Sequence, residues 1–300
     1  MSWWCSSSLR NWTWTPKPYA GAWAIVLGVL AIAAWWHWRG QYQEVELDAR
    51  EAAALGKGSG AYPSSSTTRT VAFVFGLLGL WACLDWPLAT LGAGYLASAQ
   101  MVRQVLMVFA VAPLLLFSCP APLAVRLFGW GRRFTVLRWS ARPIVAIPVA
   151  SVTLLLVNAP AVLDPMVSTP YGAFGLDFMW ILAGFVLWMP VQCPHPGVPR
   201  LTGAVALAYL IIQSIVPVLP GFFMTWADFP IYRTYDLAPR AIAGFDAVSD
   251  QQTAAAILQV GGMVVLWLQI SFRFLHWGYE QMALDRQPRK PIQEVSSSTP

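Results

Sequence analysis

The chain has 300 residues, of which 57% are hydrophobic and only 11% charged, less than half the share of about 25% usual in soluble domains. Its net charge is +5, from 19 Lys and Arg against 14 Asp and Glu, but the basic residues gather in a few loops, a distribution that speaks of membrane topology and not of nucleic acid. Apolar stretches of about twenty residues, each able to cross a bilayer of roughly 30 Å as a helix, recur from end to end and argue against a soluble enzyme.

Residues 1–18 are rich in Trp and Ser and carry only Arg10 and Lys17 as charges. No small-residue cleavage site closes a short apolar run there, so the first helix is expected to stay in the mature protein. Seven spans are predicted, over 19–38, 70–91, 95–118, 143–163, 174–193, 202–226 and 252–275, which makes the fold an all-α seven-transmembrane bundle. Asp85-Trp86-Pro87 is expected to end the second span early, with a short outer hairpin around Gly92 to Gly94. The stretch 39–69 reads as a short juxtamembrane helix and a flexible polar linker. The stretch 123–139, mixing Leu, Phe and Val with arginines, reads as an interfacial segment. The organisation is then an outer segment 1–18, a first transmembrane helix 19–38, a cytoplasmic linker 39–69, a six-helix membrane core 70–276 and a cytoplasmic tail 277–300, polar at its tip.

With seven spans, 14 of the 19 basic residues fall on one side and four on the other, Arg103 being intramembrane. The bias predicts an outer N-terminus and a cytoplasmic C-terminus. Tryptophans such as Trp38, Trp188, Trp226 and Trp277 sit near span ends, where an indole meets both lipid and water, so most of the seventeen are explained by the membrane. Pro113, Pro148, Pro190, Pro217 and Pro220 lie within or near span ends, and Pro217 with Pro220 predicts a broken sixth span.

Arg103 lies about nine residues, roughly 13 Å, into the third span. A charge at that depth needs a partner or water. Gln100 and Gln104 lie one turn apart on the same helix, with Gln100 and Arg103 sharing a side. Possible partners in the outer half are Asp85, Asp177, Asn158 and Asp250, with Gln251 beside the last. One reading is a polar site opening outward, the other an interhelical network that fixes packing. Gln213 in the sixth span reads as a packing hydrogen bond.

The residues offer little to a cofactor. His37, His195 and His276 are the three histidines and form no pair at helical spacing. Cys5, Cys83, Cys119 and Cys193 form no paired motif. Cys83 and Met101 are soft enough in principle for Cu(I), but methionines in such spans are more often packing residues. Gly56 to Gly60 lacks the strand and helix of a nucleotide loop, and no catalytic serine or carboxylate pair is evident. Neither a cofactor nor an enzymatic activity is expected.

Three stretches carry a family resemblance. The first runs from Ser98-Ala99-Gln100-Met101-Val102-Arg103-Gln104 through Ala112-Pro113 to Cys119-Pro120-Ala121-Pro122-Leu123. The second runs from Leu182-Ala183-Gly184 to Trp188-Met189-Pro190. The third is Pro230-Ile231-Tyr232 with Tyr235, followed by Ser249-Asp250-Gln251-Gln252. In this order they resemble the caa3-type cytochrome c oxidase assembly factors, the CtaG family. The resemblance implies a multi-pass protein of the bacterial cytoplasmic membrane that serves haem-copper oxidase biogenesis around copper insertion. It also implies histidines at the positions held here by Gln100 and Gln104, near Asp177 and a turn earlier near Ala173, and a Met-Trp pair where Leu258 and Gln259 stand.

Glutamine is a poor ligand for copper, and Arg103 beside it repels a cation. A salt bridge between Asp177 and Arg103 is the expected replacement. The leading reading is therefore a non-enzymatic assembly or accessory protein of a respiratory oxidase, with other membrane subunits and lipids as partners and copper handling disfavoured. The alternatives are a structural subunit of another large membrane or electron-transfer complex and, behind it, a transporter. A transporter would gain from internal symmetry, which is not visible.

Overall fold

The computed structural model describes residues 3–7, 11–38, 66–129, 131–215 and 217–285. The stretch read as a juxtamembrane helix and linker lies outside the described residues up to 65, as does the polar tip of the tail from 286. Among the described residues all regular structure is helical.

Among the described residues, five helices are long and apolar enough to cross a membrane: Thr67–Leu84, Ala97–Ser118, Pro170–Gln192, Gly203–Trp226 and Ala247–Tyr279. Arg132–Ser140 and Pro143–Asn158 make a sixth span if taken together, but they are bent by 78° at their junction. Ala20–Trp35 is a shorter apolar helix. The protein is thus a polytopic membrane-spanning helical bundle.

In chain order the elements are α1 Ala20–Trp38, α2 Ser66–Leu84, α3 Leu88–Gly94 and α4 Ala97–Val105. A π-helical turn at Leu106–Val111 joins α4 to α5 Ala112–Ser118. There follow α6 Ala121–Phe128, α7 Arg132–Ser140, α8 Pro143–Asn158, α9 Pro160–Val167, α10 Pro170–Gln192, α11 Gly203–Gln213, α12 Val218–Trp226, α13 Arg233–Asp236 and α14 Ala247–Ala256. A second π-helical turn, Ile257–Gly261, leads into α15 Gly262–Asp285.

The departures from the predicted spans have local causes. α2 stops at Leu84, just before Asp85-Trp86-Pro87, and residues 88–94, expected as the end of that span and a hairpin, fold as the separate helix α3. The fourth span stops at Asn158 because Ala159 precedes Pro160 and is held extended (φ −68°, ψ 131°); residues 160–163 belong to α9. The last span begins five residues earlier than predicted because Asp246 caps it, its side chain accepting from Ser249 N at 2.7 Å. The stretch 123–139 is not one segment but parts of α6 and α7, turned at Gly129 with φ +57°. The sixth span is broken between Gln213 and Val218, next to Pro217.

α10 is the central helix, packed on α8, α5 and the first π turn, while α4 packs on α14 and α11 on α15. Gly184 makes the central contact possible: a Cβ there would lie 2.7 Å from Ala112 Cβ and 3.1 Å from the Val108 backbone. Small residues let helix backbones approach closely in lipid, where dispersion contacts replace the hydrophobic effect as the cohesive force. The π turn frees the Val108 carbonyl locally, and buried Trp188 donates to it at 2.9 Å. A buried Tyr209 hydroxyl donates to the Leu187 carbonyl at 2.6 Å and receives Gln213 Nε2 at 3.1 Å.

Antiparallel alternation of the spans gives the bundle two ends. One end gathers the termini of α2, α4, α8, α10, α12 and α14 near Asp85, Asp164, Asp177 and Asp250. The other gathers α6, α7 and the junctions at Gln192 and Gly203, with Arg126, Arg132, Arg133, Arg138 and Arg142 all exposed. These are called the aspartate end and the arginine end below.

Candidate functional site

α4 begins at Ala97, so Arg103 lies six residues, about 9 Å, below the helix start, shallower than the span boundaries suggest. It is 2% exposed, and Asp177, two turns into α10, is 3% exposed. Their side chains meet, with Arg103 Nη2 donating to both carboxylate oxygens of Asp177 at 2.7 and 2.8 Å.

The remaining guanidinium contacts are equally specific. Nε donates to the Cys83 carbonyl at 2.7 Å, and Nη1 to Gln100 Oε1 at 2.8 Å. The guanidinium carbon lies 5.6 Å from the centre of the Trp180 ring. The Cys83 carbonyl is available because α2 ends one residue later, leaving its last carbonyls without helical partners. Room for the arginine comes from Gly92 on α3, where a Cβ would stand 2.9 Å from Arg103 Cδ and 2.8 Å from Gln100 Oε1. Tyr235 fixes that glycine by donating to its carbonyl at 2.7 Å.

Asp177 takes a further hydrogen bond from Trp4 Nε1 at 3.0 Å. Trp4 is 2% exposed although it belongs to the segment before α1. It packs edge-on to Phe174, and neighbouring Trp3 contacts Tyr171 and Phe174. Ser7 N donates to the Val167 carbonyl at 2.8 Å, and Gly21 N to the Trp3 carbonyl at 2.9 Å. The N-terminal segment therefore folds back into the aspartate end and closes over the ion pair.

The other polar residues singled out in the sequence are not in this cluster. Asp85 accepts from Tyr19 N at 3.0 Å and Trp23 Nε1 at 2.8 Å, capping and docking α1. Asp250 accepts from Ala97 N at 2.6 Å and Ser98 N at 3.1 Å, so it caps the helix that carries Arg103 without touching the arginine. Asn158 Nδ2 turns back onto the Leu154 carbonyl at 2.7 Å, and its own carbonyl accepts from Tyr232 at 2.8 Å. Gln251 holds the stretch after α12, accepting from Ile231 N at 2.6 Å. Gln104 is buried, and its Oε1 finds no partner among the described residues.

The four aspartates at this end, of which Asp85, Asp177 and Asp250 are buried, do two things. Asp85 and Asp250 satisfy the backbone N–H groups that open helices, where the helix dipole favours an anion. Asp164, which the sequence reading passed over, does the same for α13 through Arg233 N and Thr234 N, both at 3.1 Å. Asp177 alone neutralises a cation. Trp4 and Trp180 were also passed over, and Gly92 and Tyr235 were named only for a turn and for the family resemblance: an indole or a glycine has many reasons to occur in a membrane chain, and only the tertiary fold brings these four to the surroundings of Arg103.

The donor set does not suit copper. The side chains bonded to Arg103 are one amide, Gln100, and one carboxylate, Asp177, that is also bonded to an indole. Among the described residues no group of three or more His, Cys, Asp or Glu is arranged to hold a metal ion. The network at the aspartate end can do structural work: it neutralises a buried charge and ties the N-terminal segment, α2, α4 and α10 together.

Compared with known families, residues 51–279 match the family described as cytochrome c oxidase caa3 assembly factor (Caa3_CtaG). No curated protein and no solved structure matches the chain.

Proposed function

The chain belongs to the cytochrome c oxidase caa3 assembly factor family, and on that premise we propose that it is a non-enzymatic accessory protein for building a haem-copper oxidase in the bacterial cytoplasmic membrane. The observation that carries this reading is the family match over more than two thirds of the chain. The polytopic fold, with aromatic and aliphatic faces turned outward on several spans, supports a role exercised through other membrane subunits.

In this reading α1 is a seventh span, added to the five long helices and the bent pair. The N-terminus lies outside and the C-terminus in the cytoplasm. The exposed arginines of α6, α7 and the start of α8 support that orientation through the excess of Lys and Arg in cytoplasmic loops. The six-helix core is 70–276, flanked by the outer segment, the linker and the tail.

The chain is a divergent member whose copper-handling role is lost or replaced. Gln100, Gln104 and Asp177 stand where the family resemblance implies histidines, and the guanidinium of Arg103 is bonded to the first and the last of them. A cation there would meet a fixed positive charge in a low dielectric. What remains is a rigid bundle with a plugged outer end, suited to docking another subunit.

Affinity purification from mild detergent, with identification of the co-purifying subunits and metal analysis, tests the reading. We expect oxidase subunits in substoichiometric amounts and copper well below one atom per chain. One copper per chain would overturn the loss of metal handling. Stoichiometric recovery with a complex other than an oxidase would replace the assembly role by that of a permanent structural subunit.

A further inference from the structure

A cleft of about 440 Å³ opens on the side of the bundle between α5 and α15, within the size range of ligand sites. Its walls are two helix stripes. One runs from Phe109 and Ala110 to Phe117 along the first π turn and α5. The other runs through Val265, Leu268 and Phe272 on α15 at spacings that keep one helical face. Polar side chains occur at only one end, where Gln192, Gln269 and Arg273 line the mouth.

The dimensions and position of this cleft match one leaflet. From Val265 to Arg273 is eight residues, about 12 Å of helix, and half a bilayer core is about 15 Å. The polar mouth lies at the arginine end, level with the close of α10 at Gln192 and of α5 at Ser118. The apolar floor reaches mid-span at the π turn, against which α15 packs. Leu268 and Phe272 are largely exposed, so the cleft is open sideways, toward lipid and not toward water. The residues lining it include one cation and no acid. Arg126, Arg132, Arg133, Arg138 and Arg142 at the same end would enrich anionic lipid around it.

We propose that the cleft is a binding site for an anionic phospholipid of the leaflet at the arginine end, with one acyl chain along Phe109, Ala110 and Phe117 and the phosphate against Arg273. The amides of Gln192 and Gln269 serve the headgroup oxygens. Basic pockets between spans on the cytoplasmic side are a recurrent means of holding anionic headgroups, and the apolar trough distinguishes a lipid from a free anion. The site is on the opposite end of the bundle from Arg103 and does not depend on association with an oxidase.

The test uses the full chain in nanodiscs of phosphatidylcholine containing a minor fraction of phosphatidylglycerol, followed by release into the gas phase and counting of retained lipids by native mass spectrometry. Wild type is expected to retain phosphatidylglycerol in preference to phosphatidylcholine, and Arg273→Gln to weaken that retention roughly fivefold. Ala110→Trp, which fills the trough while leaving Arg273 in place, is expected to abolish it. Thermal unfolding of each variant identifies any that fails to fold; Arg273 is only half-buried at the rim, so its variant keeps the test decisive if the tryptophan variant is lost. Equal retention of the two lipids by wild type would overturn the site. So would an unchanged preference in Arg273→Gln. Displacement of the lipid by inorganic phosphate alone would show an anion site with no role for the acyl chain, and would overturn the lipid assignment.

Discussion

The two ends of the bundle treat charge in opposite ways. At the aspartate end Asp85, Asp177 and Asp250 are at most 4% exposed, and each is bonded to a helix start or to Arg103. At the arginine end the cations of α6 and α7 are exposed, and one of them, Arg126, lies over the Trp35 ring at 5.4 Å. A buried charge is expensive unless paired, whereas an exposed one is solvated at little cost. Charge at the first end is therefore part of the fold. At the second it stays on the surface.

The comparison is broken most directly at Asp177. Replacement by Ala leaves the Arg103 guanidinium buried without its counter-ion and should cost about 3–5 kcal/mol, read as a fall in the unfolding midpoint in detergent. Trp4→Phe keeps the ring among Phe174 and Trp3 but removes the indole N–H from Asp177. The expected loss is about 1–3 kcal/mol, with faster proteolysis of the N-terminal segment. Asp250→Ala removes the cap of α4 and should cost about 0.5–2 kcal/mol in the same unfolding assay.

At the arginine end the effects shrink. His195 is buried in the loop after α10, and burial holds its imidazole below the ordinary value. Its Nδ1 accepts from Gly197 N at 3.1 Å, which requires that nitrogen to be unprotonated. The unfolded chain takes up a proton there near pH 6.5, so below that pH the unfolded state binds more protons than the folded one. Stability should therefore fall as pH drops from 7 toward 5, and less so in His195→Gln, measured by pH-dependent unfolding. Arg132→Gln, on an exposed helix face, should change stability by no more than about 0.5 kcal/mol. A large effect there would erase the contrast between the two ends.

Much of this fold is legible in composition and periodicity, because a bilayer forces long apolar helices on any chain that crosses it. Arg103 stands out for the same reason, as a basic residue several turns inside a predicted span. Asp177 is a natural partner at the same end of a neighbouring span. The rest of the site is tertiary. Trp4 reaches Asp177 from 173 positions away, and nothing local distinguishes it from the lipid-facing tryptophans. The Cys83 carbonyl is a partner only because α2 ends beside it. The π turns are equally hidden, although the first ends beside Pro113, which cannot donate to the preceding turn. Asp85 and Asp250 look like partners for Arg103 by depth alone, and only the geometry separates a helix cap from a counter-ion.

The central claim is that Arg103 and Asp177 form one structural unit in the place where the family resemblance implies metal ligands. A double-mutant cycle of Arg103→Met and Asp177→Ala, followed by unfolding in one detergent, measures it. The account predicts a coupling of at least about 2 kcal/mol, with the double variant more stable than Asp177→Ala alone. Additive losses, with no recovery in the double variant, would contradict it.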